Sequence, residues 1–345
     1  MSKIRVGMVG AGNIAQEAHL PAYARRDDVE LVAICDLNKE RAKQAAAKYG
    51  IANVVDTADE LALRNDIDYI DICCWNASHA PVAIAAAKGG KHVLCEKPMA
   101  INLDAAKQMY DAIKPLGVQF MMAMPNRFRP DIALIREKVD AGDLGDIYHA
   151  KTGIMRRRGT PKGWFTDLRK AGGGPVIDIA VHCLDRTWYM MGCPKPTRVS
   201  GQISHAIGNY ETRGVNRYLA LDSDVTAFDT EDSATAIIHF ENGASMLLET
   251  SWAYNGPNAD YSLIAGSKGG ATLDPFTVYT EDHGYLVDCS PTVLPPDNFY
   301  REIDHFIDCV RTGKQPLAPI EHGLMVQSML QGIYDSAKLG KEVVL

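Results

Sequence analysis

Five short, almost uninterrupted apolar runs set the tightest limit on what this chain can become: Ile4–Val9, Val29–Cys35, Tyr69–Cys74, Lys91–Cys95 and Val118–Met124. Strands without polar alternation have both faces buried. Between the runs lie alanine-rich, charged stretches with helical spacing, at Lys39–Lys48, Ala80–Lys88 and Leu103–Leu116. Strands joined through helices run parallel, because a tight turn joins only antiparallel neighbours. The expected fold of residues 1–125 is therefore a doubly wound Rossmann domain, with ligands bound beyond the carboxyl ends of its strands.

Near Pro125-Asn126-Arg127-Phe128-Arg129-Pro130 the pattern changes. Longer strand-like runs follow at Ile147–Arg156, Val199–Ile207, Ala234–Phe240, Ala244–Trp252 and Tyr261–Ala265. Glu241-Asn242-Gly243 predicts a hairpin with positive φ at both turn positions. One helix is expected after Gly172-Gly173-Gly174-Pro175, and two more at Asn298–Arg311 and Glu321–Leu339. Residues 126–345 thus read as a second α/β domain with an open, largely antiparallel sheet. The strand Ala244–Trp252 carries Met246, Leu247, Leu248 and Trp252, which point to both sides, so a homodimer or homotetramer through that sheet is expected.

At 345 residues, two domains with sizeable cores fit. With 46% hydrophobic and 23% charged residues, the chain is neither disordered nor collagen-like. No apolar run reaches the roughly 18 residues of a membrane span, and Met1–Arg5 lacks a signal-peptide core. The net charge of -7 argues against nucleic acid as a partner. The eight cysteines form no C-x-x-C pair. The expectation is no metal, no disulfide framework and a reduced cytoplasmic setting.

Three constellations carry chemistry. Gly10-Ala11-Gly12-Asn13-Ile14-Ala15 is a G-x-G-x-x-A between a predicted strand and a predicted helix. Gly10 makes the tight turn, Gly12 lets a pyrophosphate approach, and the helix N–H groups at Asn13 and Ile14 face the anion. Asp36, at the end of the next strand, suits an adenosine ribose diol and repels a 2′-phosphate, so the cofactor expected is NAD rather than NADP. Lys39 and Arg41 read as the solvated face of the following helix.

Glu96-Lys97-Pro98 falls at the carboxyl end of the fourth run. Lys97 there would donate to a substrate hydroxyl and stabilise a developing alkoxide; a surface ion pair is the competing reading. Asp178 and His182, four apart on an apolar helix, share a face. His182 suits a general base at neutral pH, against the alternative of a core histidine held by its i−4 carboxylate. Trp164, beside Arg156-Arg157-Arg158, offers a stacking surface to a sugar ring or serves as packing. Gly266-Ser267-Lys268-Gly269-Gly270 reads as a hairpin turn.

Taken together, Gly10–Ala15, Cys95-Glu96-Lys97-Pro98 and Gly173–His182 resemble the family of glucose–fructose oxidoreductase, inositol dehydrogenase and rhizopine catabolism (Gfo/Idh/MocA) proteins. Asn76-Ala77-Ser78-His79 resembles that family's Asn-x-x-His loop, although Cys73-Cys74-Trp75 stands before it where many relatives carry Thr-Pro. The resemblance implies that residues 126–345 bind substrate and make the oligomer through the broad face of the open sheet, and that Lys97, Asp178 and His182 form the catalytic group. It also implies that Asn76, His79 and Glu96 lie along the bound cofactor. The function expected is NAD-dependent oxidation or reduction of a secondary alcohol or ketone of a sugar, glycoside or inositol. Two alternatives are a glycosidase-like enzyme working by transient oxidation and elimination, and a non-catalytic dinucleotide-binding regulator.

Overall fold

The computed structural model describes residues 2–221, 228–295 and 297–345. The chain forms two compact units, Met1–Pro125 with Asp297–Gln327, and Asn126–Pro296 with Ser328–Leu345. The expected boundary at 125/126 is present, but the expectation of one continuous second domain over 126–345 is corrected. The helix Asn298–Thr312 buries Ile303, Phe306 and Ile307 within the first unit. Periodicity reveals that a helix has an apolar face; it does not say which sheet or helix covers that face.

The first unit holds a six-stranded sheet made of β1 (Ile4–Val9), β2 (Val29–Cys35), β3 (Asn53–Val54), β4 (Tyr69–Ile72), β5 (His92–Glu96) and β6 (Phe120–Ala123). All its pairings are parallel, in the order β3-β2-β1-β4-β5-β6. That is the dinucleotide-binding order, which reverses direction between β1 and β4 and opens a crevice there. The five apolar runs became five of the strands. The two-residue β3 and the helix Ala58–Leu63 were too short to show a period. The helix Lys39–Tyr49 starts where the Asn38 side chain accepts from the Arg41 N–H at 3.1 Å and stops at left-handed Gly50.

In the second unit, nine strands form one sheet: β7 (Ile147–Met155), β8 (Pro196–Ser204), β9 (Ser233–Phe240), β10 (Ser245–Ser251), β11 (Ala259–Gly266), β12 (Gly270–Leu273), β13 (Phe276–Asp282), β14 (Tyr285–Cys289) and β15 (Val343–Val344). Only β7 and β10 pair in parallel. Because β7 ends at Met155, Arg156–Arg158 lie beyond the strand and do not alternate between its faces. The Glu241–Gly243 hairpin is present with a different turn. Gly243 donates to the Phe240 carbonyl at 3.1 Å, and of the two expected positive-φ residues only Gly243 has one, at 85°. Three loop residues make a type I turn closed by one left-handed glycine, a geometry that places no such demand on Asn242. The glycine-rich segment at 266–270 is a hairpin turn between β11 and β12.

Strand β10 carries apolar side chains on both faces of the sheet, as expected. Met246 and Leu248 are buried while Leu247 is exposed, and Trp252, which follows the strand, is fully buried. Leu247 pairs with Ile237 on one side and Lys151 on the other, so an exposed row crosses the middle of the sheet.

One helix residue of the first unit stands out energetically. Glu302 is fully buried, and its carboxyl group has no well-formed hydrogen bond, only the backbone of Met124 near it. Burial, reinforced by the nearby Glu96 carboxylate, holds Glu302 well above the usual carboxylate range. The folded protein therefore keeps a proton that the unfolded chain releases above about pH 4.3, and stability falls as pH rises from there towards the folded-state value. Glu302→Gln cannot ionise in either state. Urea unfolding at pH 5, 6 and 7 is expected to show the variant gaining on wild type, by at most about 1.4 kcal/mol per pH unit. Parallel pH dependences would show that Glu302 is ionised.

Candidate active site

At the carboxyl end of β1, Gly10 has φ +94°, and a Cβ there would lie 2.4 Å from the Cys73 carbonyl oxygen. Only glycine turns the chain so close to β4. Gly12 is different, since a Cβ would stand in open space. No neighbouring protein atom calls for glycine at that position, whereas a ligand passing close to the backbone does. Asn13 and Ile14 open a helix whose next turn, Ala15–His19, is wound as a π-helix before Leu20–Ala24 continues as α. The helix N-terminus at the end of β1 suits a pyrophosphate, as the sequence motif implied.

Asp36 follows β2, and its carboxylate is fully engaged. Oδ2 accepts from the Ala11 N–H at 2.7 Å and from Arg41 Nε at 3.2 Å, while Oδ1 accepts from the Asn38 N–H and Arg41 Nη2, both at 2.7 Å. Arg41 is thus largely covered in an ion pair, not part of a solvated face. Lys39 does lie in solvent, bridging to Asp56. Four donors fill a carboxylate's usual capacity, so a ribose diol reaches Asp36 only by displacing one of them. Arg41 is the displaceable donor, being a side chain rather than backbone.

Asn76 begins the helix Asn76–Lys88 and is buried. His79 is also fully buried. One ring nitrogen lies 2.7 Å from the Pro98 carbonyl and the other 3.1 Å from the Cys74 carbonyl. Burial pushes His79 down, which favours a neutral ring that donates once, to the nearer carbonyl. His79 therefore ties the loop after β4 to the loop after β5 from inside and does not line a ligand surface. Glu96, at the end of β5, is likewise buried, and its Oε2 accepts from the backbone N–H of Lys97 at 3.1 Å. The Lys97–Pro98 bond is cis, and Lys97 is half-buried.

In the second unit, the predicted helix after Pro175 begins with a π turn, Val176–Ala180, and continues as Val181–Met190. Every residue from Val176 to Met190 is buried except Asp178 and His182. The wider π turn keeps two residues four apart close to one line along the helix. Two residues that sequence reasoning missed hold this helix. Trp252 donates from Nε1 to Asp178 Oδ2 at 3.0 Å. The buried Glu231 accepts from the Gly174 N–H at 2.9 Å, the Val176 N–H at 3.1 Å and the Tyr334 hydroxyl at 2.8 Å. Burial still pushes the Glu231 carboxyl up. Neither residue carried a sequence signal, because both come from irregular segments next to strands. Trp164 is half-buried and stacks on Phe165, with ring centroids 4.2 Å apart.

The family model described as "Oxidoreductase family, NAD-binding Rossmann fold" matches residues 4–124, and the Gfo/Idh/MocA C-terminal domain model matches residues 132–272. The chain belongs to the Gfo/Idh/MocA oxidoreductase family. It is similar to a D-glucoside 3-dehydrogenase of Escherichia coli, 35% identical over 100% of this chain and 98% of that one. A levoglucosan dehydrogenase of Pseudarthrobacter phenanthrenivorans is 30% identical over 78% of this chain and 73% of its own. The solved structure of an aldose-aldose oxidoreductase from Caulobacter crescentus, complexed with glycerol, superposes with a TM-score of 0.83 at 26% identity, covering 99% and 100% of the two chains. This Gfo/Idh/MocA protein is thus an oxidoreductase that uses NAD, and the open cradle at Gly12 fits that cofactor. Among the described residues, no helix is long and apolar enough to cross a membrane.

The Asp36–Arg41 pair gives cofactor choice a test. Asp36→Ala removes the charge that repels a 2′-phosphate and releases a guanidinium that binds one. The ratio of kcat/KM for NAD over NADP is expected to fall about tenfold or more, the scale of one charge-assisted contact of roughly 1.5–3 kcal/mol. An unchanged ratio would show that Asp36 does not read the ribose.

Proposed function

We propose that the protein oxidises a secondary hydroxyl on the ring of a sugar or glycoside, with Lys97, Asp178 and His182 as the catalytic group. The observation that carries this reading is the exposure pattern of the helix 176–190. On this otherwise buried helix the carboxylate and the imidazole alone are half-buried, which keeps reachable the pair that proton transfer needs. The full-length likeness to a protein named D-glucoside 3-dehydrogenase supports a glycoside as the substrate class.

NAD, when bound, supplies the hydride acceptor. The protein's own residues manage the proton and the charge. A ring nitrogen of His182 takes the hydroxyl proton. The Lys97 ammonium donates to the same oxygen and stabilises the negative charge that grows there. Asp178, held at Oδ2 by Trp252, orients His182 or an adjacent substrate hydroxyl. Trp164 offers the sugar ring a flat apolar face. Asn76 and the Gly10–Ile14 turn belong to the cofactor side, with Glu96 and His79 as the buried supports of that side.

Lys97→Met is expected to fold and bind NAD while lowering kcat steeply. His182→Ala is expected to lose roughly 10²–10⁴-fold at neutral pH and to recover part of the loss at high pH, where hydroxide replaces the base. The assay is NADH absorbance with a panel of glucosides, free aldoses and inositols. Wild-type rates for His182→Ala across the pH range would refute its role, and turnover confined to inositols would refute the glycoside reading.

The same reading includes a homo-oligomer. The exposed row Ile237–Leu247, flanked by Lys151, is apolar enough at its centre to favour cover by a second copy. A reducing cytoplasm is the setting that goes with this reading. Light scattering is expected to give a dimer or tetramer that Leu247→Lys dissociates; a 37.7 kDa particle for wild type would exclude assembly at this face.

A further inference from the structure

Beneath the carboxyl edge of the first unit lies a chain of polar side chains that the mechanism above does not use. His19, on the π turn after β1, is fully buried. Its Nδ1 lies 2.7 Å from Asp71 Oδ2, and its Nε2 lies 3.0 Å from Glu96 Oε1. Asp71 Oδ2 also accepts from the Tyr23 hydroxyl at 2.7 Å, and Tyr23 accepts from the Tyr69 hydroxyl at 2.8 Å. The Cys73 thiol donates weakly to Asp71 Oδ1 at 3.6 Å. At the other end of the chain, Glu96 Oε2 accepts the backbone N–H of Lys97.

Hydrogen-bond inventory constrains the protons. Three donors converge on Asp71, which is the pattern of an anion. A carboxylate has no proton to give, so a ring nitrogen facing it must carry one. Glu96 accepts the Lys97 N–H on one oxygen and faces the imidazole with the other. Both carboxylates are satisfied together when the ring is protonated on both nitrogens. Burial is the largest single influence and opposes that charge, yet Asp71 and Cys73 together push His19 well above the ordinary histidine range. The groups facing the ring are Tyr23 from its own helix, Asp71 and Cys73 from β4 and the loop after it, Glu96 from β5, and Glu302 from the helix Asn298–Thr312. Burial pushes the Glu302 carboxyl up, which disfavours a further negative charge beside the ring. The 2.7 Å contact is also too short for two ligands of one zinc ion, which lie roughly 3.3 Å apart at usual bond lengths.

We propose that His19 is a positioning residue for the reaction: an imidazolium clamped between Asp71 and Glu96 that fixes the Glu96 carboxylate and, through it, the backbone of Lys97. The π turn serves this purpose. It sets an inward-facing histidine one turn after the cofactor-binding motif, between two strand ends that would otherwise present like charges to each other. Without the ring, no donor stands between Asp71 Oδ2 and Glu96 Oε1, and nothing holds the Glu96 carboxylate in the direction in which Oε2 accepts the Lys97 N–H.

The proposal rests on Lys97 as the group that acts on the substrate oxygen, and a double-mutant cycle separates the two. His19→Gln keeps a polar side chain but cannot donate from two opposite sides. In the full-length enzyme it is expected to lower kcat 10- to 100-fold, with KM for NAD and for sugar changed less than threefold. In a Lys97→Met background the same substitution is expected to cost less than threefold. Full activity of Lys97→Met would refute the reading of Lys97. A steep loss in Lys97→Met, combined with an equal loss from His19→Gln in both backgrounds, would overturn the positioning role while leaving Lys97 in place. Should His19→Gln fail to fold, nitrogen NMR of histidine-labelled wild type decides the matter. Two protonated ring nitrogens at pH 8 support the clamp, and one bare nitrogen overturns it.

Discussion

The parallel pairing of β1, β4 and β5 is the interaction on which the first unit depends. Val9 lies opposite Ile72, and Ile72 opposite Cys95, so the three strands end level. The Cys73 N–H donates to the Val9 carbonyl at 2.7 Å, and the Gly10 N–H donates to the Cys35 carbonyl of β2 at 2.8 Å. These ladder bonds bring Gly10, Asp36, Cys73, Glu96 and Lys97 to one edge from distant parts of the sequence. A shift of one residue along any of the three strands would turn Glu96 away from His19 and close the turn at Gly10 against a different carbonyl.

Both units use buried charge to hold working segments in place. Asp71, Glu96 and His19 do so in the first, and Glu231 with Tyr334 in the second. Such groups contribute little net stability, because desolvation offsets most of their attraction. They contribute geometry instead, since each carboxylate accepts from named backbone N–H groups and so fixes the direction of a loop or helix. Arg127 and Asp185 form a further pair of this kind in the second unit, fully buried and 2.6 Å apart. Each of the two helices that follow a glycine-rich turn has a π turn at or near its start, Ala15–His19 in one and Val176–Ala180 in the other. The first ends on the buried His19, while the half-buried His182 lies two residues beyond the second, in regular α-helix.

Much of the site was legible in the sequence. The glycine motif, Asp36, Glu96-Lys97-Pro98 and the Asp178–His182 spacing could be read because their chemistry depends on local backbone: a turn after a strand, a strand end, one face of one helix. The strand runs were legible for the same reason, since burial on both faces leaves a continuous apolar stretch. Arg41 was misread because helical position predicts exposure and says nothing of a carboxylate five residues earlier folding back onto it. His79 and Glu96 were placed beside the cofactor by resemblance, and their burial became visible only with the loops packed around them.

The sequence by itself determined the Rossmann half, the nucleotide motif, the placing of Lys97 just after a strand end and the placing of Asp178 and His182 four apart on one continuous helix. Local periodicity and motif spacing encode these without reference to the rest of the chain. Tertiary structure alone decided that the helix Asn298–Thr312 returns to the first unit, that Trp252 holds Asp178, that Glu231 caps the Gly174–Val176 turn, and that His19 bridges two carboxylates lying 52 and 77 residues away. Those contacts join residues far apart in sequence, and what selects them is the packing of whole elements against one another, which no short window of sequence contains.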